Sequence, residues 1–200
     1  MGSGTTLFEC ETLNRKFIGC DINSEILRYV EQKMEKSPQK RFRINECDVS
    51  NDQLFNNAMK QSLSKLQIEK VQLIIAHPPY MDIVKFTPKP EDLSQIGDLT
   101  EFLCKFTQVM RNALTYLENK KYFGIVIGDV YKKSEVIPLA FRVLDSIKQN
   151  FKVKLKGIVV KNIEGNRGKL GGSNIWRYRA LKSDYFIFKH EYILIFKKED

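Results

Sequence analysis

An α/β fold, with a mostly parallel sheet and helices on both of its faces, is predicted by three features of the 200-residue chain. Apolar runs near 16–20, 41–45, 71–76, 122–127, 153–160 and 184–196 alternate with helical periodicities near 24–36, 52–66, 99–118 and 135–149, the pattern of strands joined by helical crossovers. Gly2-Ser3-Gly4-Thr5-Thr6 opens a segment, Leu7 to Asn14, that can form a helix; glycines there let the backbone approach a ligand closely. The run Val71 to Ala76 ends in His77-Pro78-Pro79-Tyr80, which sets a polar group and a flat ring at the carboxyl edge of a sheet, where open α/β folds bind ligands. With 42% hydrophobic and 11% aromatic residues, a chain of this length builds one core, so residues 1–200 are expected to form a single domain.

Each element has a local reason. The short run Lys16-Phe17-Ile18-Gly19-Cys20 closes on Asp21, and Asp21 and Asn23 are candidate caps for the helix starting at Ser24. The run Arg43 to Cys47 closes on Asp48, and Asp48-Val49-Ser50-Asn51 reads equally well as the cap of the next helix. After the strand 71–76, the prolines fix φ and restrict the residue before them, so the carbonyls at His77 and Pro78 stay free to accept from an amine. The strand Phe123 to Val130 contains Asp129 behind a glycine, which reads as structural. His190 reads as a satisfied core or turn histidine. Asp184–Phe188 and Glu191–Phe196 follow each other too closely for a helical crossover and are expected to form one long bent strand or a hairpin. Met81 to Asp98 and Lys161 to Ser183 show no period, and loops of this length in a compact domain tend to carry function.

The formal charge is +9, and its placement is uneven: from Phe151 to Asp200 there are nine lysines and three arginines against five acids. Interleaving with Trp176, Tyr178, Tyr185 and Phe188 favours a nucleic-acid surface over a merely solvated face. Cys10, Cys20, Cys47 and Cys104 lack CxxC spacing and read as buried thiols of a reducing cytosol, not as a zinc site or disulfide framework. No run of 18 apolar residues and no charged-then-apolar leader appears, so a cytoplasmic protein without a membrane span is expected.

The acid at Asp21, placed to take two ribose hydroxyls, and the glycine loop together describe a nucleoside pocket. A nicotinamide cofactor is disfavoured, because Thr5-Thr6-Leu7 offers no third glycine. GSGTT, then NRKFIGCDIN, then IIAHPPY, in this order, resemble the amino-methyltransferases of DNA, which move a methyl group from S-adenosylmethionine to the exocyclic amine of adenine or cytosine. Gly97-Asp98-Leu99, the strand 123–130, Gly171-Gly172-Ser173 and the ending 190–198 extend the resemblance over nearly the whole chain. In that family the tetrad more often begins with Asp, Asn or Ser, so His77 is a variant.

The resemblance implies a Rossmann-like methyltransferase fold with an antiparallel C-terminal strand. It implies a base site made by His77, Pro78, Pro79 and Tyr80, with Tyr80 stacked on an extruded base. For S-adenosylmethionine it implies Gly2, Ser3, Gly4, Thr5 and Thr6 around the methionine part, Asp21 and Ile22 at the ribose and Asp48 at the adenine. DNA contacts are expected at Lys169, Ser173, Trp176, Arg177 and Arg179, and neither a metal nor a covalent intermediate is required. In relatives the glycine loop follows a central strand ending in Asp-Pro-Phe. A chain starting at Met1, inside that motif, is therefore expected to leave a gap in its sheet between the strands ending at Asp21 and Ala76, with a separately encoded N-terminal piece as a candidate partner. The function so implied is a site-specific DNA methylase of a restriction-modification system, adenine N6 preferred over cytosine N4. Its rivals are methylation of RNA guanine N2 or of a protein glutamine, and an inactive remnant or half of a split enzyme.

Overall fold

The computed structural model describes residues 1–35, 37, 41–163 and 188–200. Helix α1 (Thr5–Thr12) starts from Gly4, whose φ of 89° a side chain would resist. Strand β1 (Phe17–Asp21) leads to α2 (Ser24–Met34), capped by Asn23, whose side chain accepts from the Glu25 and Ile26 amides. Strand β2 (Phe42–Glu46) leads to α3 (Asp52–Leu66), where Asn51 accepts from the Leu54 amide. After β3 (Val71–Ala76), a long loop contains a 3-10 turn at Leu93–Gln95 and ends at Asp98, which caps α4 (Leu99–Thr115) through the Glu101 amide. The remainder is β4 (Leu117–Ile127), the short strands β5 (Val130–Lys132) and β6 (Glu135–Ile137), α5 (Leu139–Asn150), β7 (Val153–Asn162) and β8 (His190–Lys198).

Two expectations from periodicity are corrected. The pattern from 135 to 149 is not one helix: residues 135–137 form a hairpin with β5, and α5 begins only after Pro138, because proline suits the start of a helix and not its interior. Strand β4 begins at Leu117, five residues before its apolar run, inside the stretch read as helix. Cys104, expected to be buried, lies exposed on α4; Cys10 and Cys20 are partly exposed and Cys47 is buried.

Among the described residues the large sheet has the order β3-β4-β8-β7, with β3 parallel to β4 and β8 antiparallel to both neighbours. Strands β1 and β2 form a separate parallel pair. The expected antiparallel final strand is present, and so is the gap: no ladder joins β1 to β3 among the described residues. Helices α4 and α5 cover one face of the large sheet, burying Phe102, Phe106, Met110, Val143 and Ile147 against Phe123, Ile125, Leu194 and Phe196. Phe123 and Phe196 stack with centroids 5.0 Å apart across β4 and β8. Helix α3 packs Phe55, Met59 and Leu63 against Ile18 and Cys20 of β1 and Val71 of β3, so it spans both sheets. Leu7, Val30 and Met34 close the other face of the β1–β2 pair over Phe17, Phe42 and Ile44.

Candidate functional site

Strand β3 carries the tetrad to its carboxyl end, where Pro78 is buried, Pro79 and Tyr80 are half-buried, and His77 keeps part of its surface in solvent. The next residue, Met81, is 1% exposed with φ 54°, which turns the chain sharply away behind the tetrad. The Tyr80 ring lies against Gly128, at the end of β4: a Cβ on that glycine would come within 2.9 Å of the ring. The Tyr80 hydroxyl donates to Glu191 Oε2 at 2.7 Å, Lys161 Nζ donates to Glu191 Oε1 at 2.6 Å, and His77 Nε2 lies 3.2 Å from the Tyr80 oxygen. Burial, then the Glu191 carboxylate, raises the Tyr80 pKa far above that of a free phenol. Burial also raises the Glu191 carboxyl, but hydrogen bonds from Lys161 and Tyr80 outweigh it and leave Glu191 below its ordinary value. Desolvation around its ring lowers the His77 pKa, opposed by Glu191 and assisted by Lys161 and the amino terminus. The sequence carries no local signal that Glu191, Lys161 and Gly128 join the tetrad, because Tyr80 and Glu191 lie 111 residues apart.

In the glycine loop both Gly2 (φ 61°) and Gly4 (φ 89°) occupy the left-handed region. A Cβ on Gly4 would strike Val30 at 2.9 Å, whereas the Cβ side of Gly2 is open, with nothing within 4 Å. Ser3 and Thr5 are exposed and Thr6 is half-buried. Asp21 Oδ2 accepts from the Gly2 amide at 3.0 Å and from the Met1 amino group at 2.8 Å, and Oδ1 accepts from the Asn23 amide at 3.0 Å. Burial raises the Asp21 carboxyl, and the amino terminus together with these bonds more than offsets it, so the net shift is downward. Asn23, not Asp21, caps α2. Asp48 likewise is not the cap of α3, a role Asn51 takes; its carboxylate accepts from the Ser50 amide at 2.8 Å and hydroxyl at 2.7 Å. Asp129 accepts from the Ala140 amide at 3.1 Å at the start of α5, and His190 Nε2 lies 3.1 Å from the Tyr192 hydroxyl, which agrees with structural readings of both.

The loop after the tetrad ties these parts together. Lys89 donates to the Ile22 carbonyl at 2.8 Å and to Glu46 at 2.7 Å, spanning the ends of β1 and β2. Inside the loop, buried Asp92 accepts from the Thr87 amide and hydroxyl and from the Ser94 amide. Lys132 on β5 holds Asp82 at 2.7 Å and the Gly97 carbonyl at 3.0 Å. The loop leaves Ile83, Val84 and Phe86 more than half exposed. Among the described residues no three His, Cys, Asp or Glu side chains are grouped for a metal, and no helix is long and apolar enough to cross a membrane. The expected DNA-contact residues Lys169, Ser173, Trp176, Arg177 and Arg179 lie outside the described residues.

A family model described as DNA methylase matches residues 1–32. A structure described as a DNA modification methylase from Thermus thermophilus, complexed with S-adenosyl-L-methionine, is 21% identical; the match covers 66% of this chain and 49% of that one, with a TM-score of 0.44. The chain thus spans about half the length of that protein. A structure described as a methyltransferase from Streptococcus mutans, in complex with S-adenosylhomocysteine, is 12% identical, over 99% of this chain and 84% of that one, with a TM-score of 0.50. An rRNA methylase from Streptococcus thermophilus is 11% identical, over 100% and 83%, with a TM-score of 0.51. No curated protein matches the chain. The shared fold is that of these methyltransferases, an α/β sheet of Rossmann-like type.

Proposed function

We propose that residues 1–200 form the catalytic domain of an S-adenosylmethionine-dependent methyltransferase acting on an exocyclic amine of a nucleic-acid base, DNA adenine N6 before cytosine N4. The observation that carries this reading is that the positive-φ glycine loop, with its acid Asp21 at the end of β1, and the His77–Tyr80 tetrad at the end of β3 stand on strands packed under the same helix, α3, and are joined by Lys89, which reaches from the loop after the tetrad to the Ile22 carbonyl. The match of residues 1–32 to a DNA methylase model favours DNA, and the Streptococcus mutans structure, bound to S-adenosylhomocysteine, favours the cofactor. We place the activity in the modification arm of a cytoplasmic restriction-modification system.

The residues present fit the cofactor: the side of Gly2 on which a Cβ would stand is open. Gly2, Ser3 and Gly4 would carry the backbone close to the methionine part, Thr5 and Thr6 would offer hydroxyls to its carboxylate, and Asp21 with Ile22 would hold the ribose. Asp21 already accepts from the Gly2 and Asn23 amides and from the Met1 amino group, and a carboxylate has about four lone-pair sites, so one remains to accept from a ribose hydroxyl. Asp48, fixed by Ser50, would take the adenine amine. When bound, the cofactor supplies an electrophilic methyl group. Base amines are poor nucleophiles because their lone pairs are delocalised, and the Pro78 carbonyl and His77 imidazole would accept from the amine and let its nitrogen pyramidalise. Only neutral imidazole accepts. Pro79 holds the turn, and Tyr80 offers its free face to the extruded base, a stack worth ~1–3 kcal/mol.

Tritium transfer from labelled cofactor to unmethylated DNA, followed by nucleoside analysis, tests the reading, with Tyr80→Ala as the control. N6-methyladenine from the parent and none from the variant is the expected outcome; equal transfer by both would remove the tetrad from the base site. Replacing Lys169, Arg177 and Arg179 with Gln should flatten the salt dependence of DNA binding by about 0.9 per lost contact. The second reading, an RNA methyltransferase, rests on the likeness to the rRNA methylase; unmethylated RNA in the same assay separates the two.

A further inference from the structure

The Tyr80 hydroxyl has one proton and two lone pairs. Its proton is directed to Glu191 Oε2 at 2.7 Å, where the carboxylate is buried and itself held by Lys161 at 2.6 Å. An ionised carboxylate accepts and never donates, so the tyrosine proton lies on this bond. What the hydroxyl presents to His77 Nε2, 3.2 Å away, is therefore a lone pair. A neutral imidazole facing a lone pair must carry its proton on Nε2, which leaves Nδ1 as the unprotonated acceptor.

We propose that Glu191 is a positioning residue that acts through Tyr80: it fixes neutral His77 as the Nε2–H tautomer and so assigns Nδ1 as the nitrogen that accepts from the base amine. The assignment of Nδ1 to the base amine rests on the methyltransferase reading above, whereas the tautomer itself does not. Lys161, on β7, keeps Glu191 ionised and in place, and Gly128 leaves room for the ring that joins the two. The charged groups acting on His77 are Glu191 from β8, Lys161 from β7 and the amino terminus, with the Tyr80 hydroxyl in direct contact. No proton needs to move along this relay during the reaction. Its effect is to decide which nitrogen is free.

Nitrogen-15 NMR of the imidazole side chains above the His77 pKa reads the tautomer directly, and the chain has only two histidines to resolve. In the parent protein His77 should show a protonated Nε2 and an unprotonated Nδ1. In Glu191→Leu the Tyr80 proton loses its acceptor and turns to His77, so the protonated nitrogen should become Nδ1; in Tyr80→Phe the two tautomers should mix. Glu191→Leu should also lower the His77 pKa further, because the carboxylate raises it. His190 should be unchanged in every variant and serves as the internal reference. With activity measured alongside, Glu191→Leu should lose about tenfold or more in kcat, as enzymes forced into the wrong tautomer do, while the cofactor Kd stays the same. A parent His77 protonated on Nδ1, or an unchanged tautomer in Glu191→Leu, overturns the relay. Switched tautomers in a protein that methylates no base would leave the relay standing and overturn the methyltransferase reading.

Discussion

At the scale of single residues, two glycines of the β4 region, Gly124 and Gly128, differ in what they permit. A Cβ at Gly128 would sit 2.9 Å from the Tyr80 ring, whereas at Gly124 its nearest neighbour would be Ile193 at 3.9 Å. Gly128→Ala is expected to push the Tyr80 ring away, cost about 1–3 kcal/mol by overpacking and abolish base binding. Gly124→Ala, in mid-strand, is expected to be neutral or to stabilise by up to roughly 1 kcal/mol. Urea melts of both variants check this, and equal stabilities would mean that the Gly128 contact is not tight. His77 supplies a pH prediction. Its folded pKa lies below the ordinary 6.5 because desolvation disfavours the imidazolium, so transfer that needs the neutral ring persists at pH 6.5 and falls only on further acidification. In His77→Asn, which accepts without titrating, that acid limb should disappear from the kcat profile. An identical limb in both proteins would assign it to another group.

At the scale of elements, the loop from Met81 to Asp98 is fastened unequally along its length. Lys132 grips both Asp82 oxygens and the Gly97 carbonyl, so it closes the loop at its base. Toward the β1–β2 pair, the loop's middle is held by Lys89, which donates to the Ile22 carbonyl and Glu46, and by a long 3.5 Å bond from the Asn23 side-chain Nδ2 to the Phe86 carbonyl. The Lys89 ion pair is half exposed and contributes at most about 1 kcal/mol. Lys89→Met is therefore expected to leave the global melt nearly unchanged but to speed amide exchange across 84–91, with β3 still protected, because local opening draws on the least stable contacts. Exchange unchanged in 84–91 would show that the Asp92 turn, and not Lys89, holds the loop.

At the scale of the whole molecule, the ladder is interrupted between β1 and β3, and β3 presents Leu73 at 58% and Ile75 at 50% exposure. Apolar side chains beside unpaired strand groups invite association. Leu73→Thr with Ile75→Thr should reduce concentration-dependent light scattering, with little change in the melting temperature because neither side chain is buried. Undiminished scattering would place the sticky surface elsewhere, with exposed Ile83, Val84 and Phe86 the next to replace.

The sequence by itself determined what depends on near neighbours. Hydrophobic period placed α3 and β3 at their observed bounds, the glycine loop marked the entry to α1, which spans Thr5–Thr12 and not the expected 7–14, Asp21 and Asn23 were both candidates for the α2 cap that Asn23 takes, and the order of motifs brought the glycine loop, Asp21 and the tetrad into view. The hairpin before α5 was lost because Val136 and Ile137 fit a helical period as well as a strand, and Pro138 was the only local sign of the break. What only the tertiary structure decided is which polar groups meet. Glu191 reaches Tyr80 because β8 runs antiparallel between β4 and β7, so that its first residues lie beside the carboxyl end of β4, where Gly128 makes room. Periodicity records which face of an element is buried, whereas the pairing of a buried acid with a tyrosine 111 residues away is set by strand order and register.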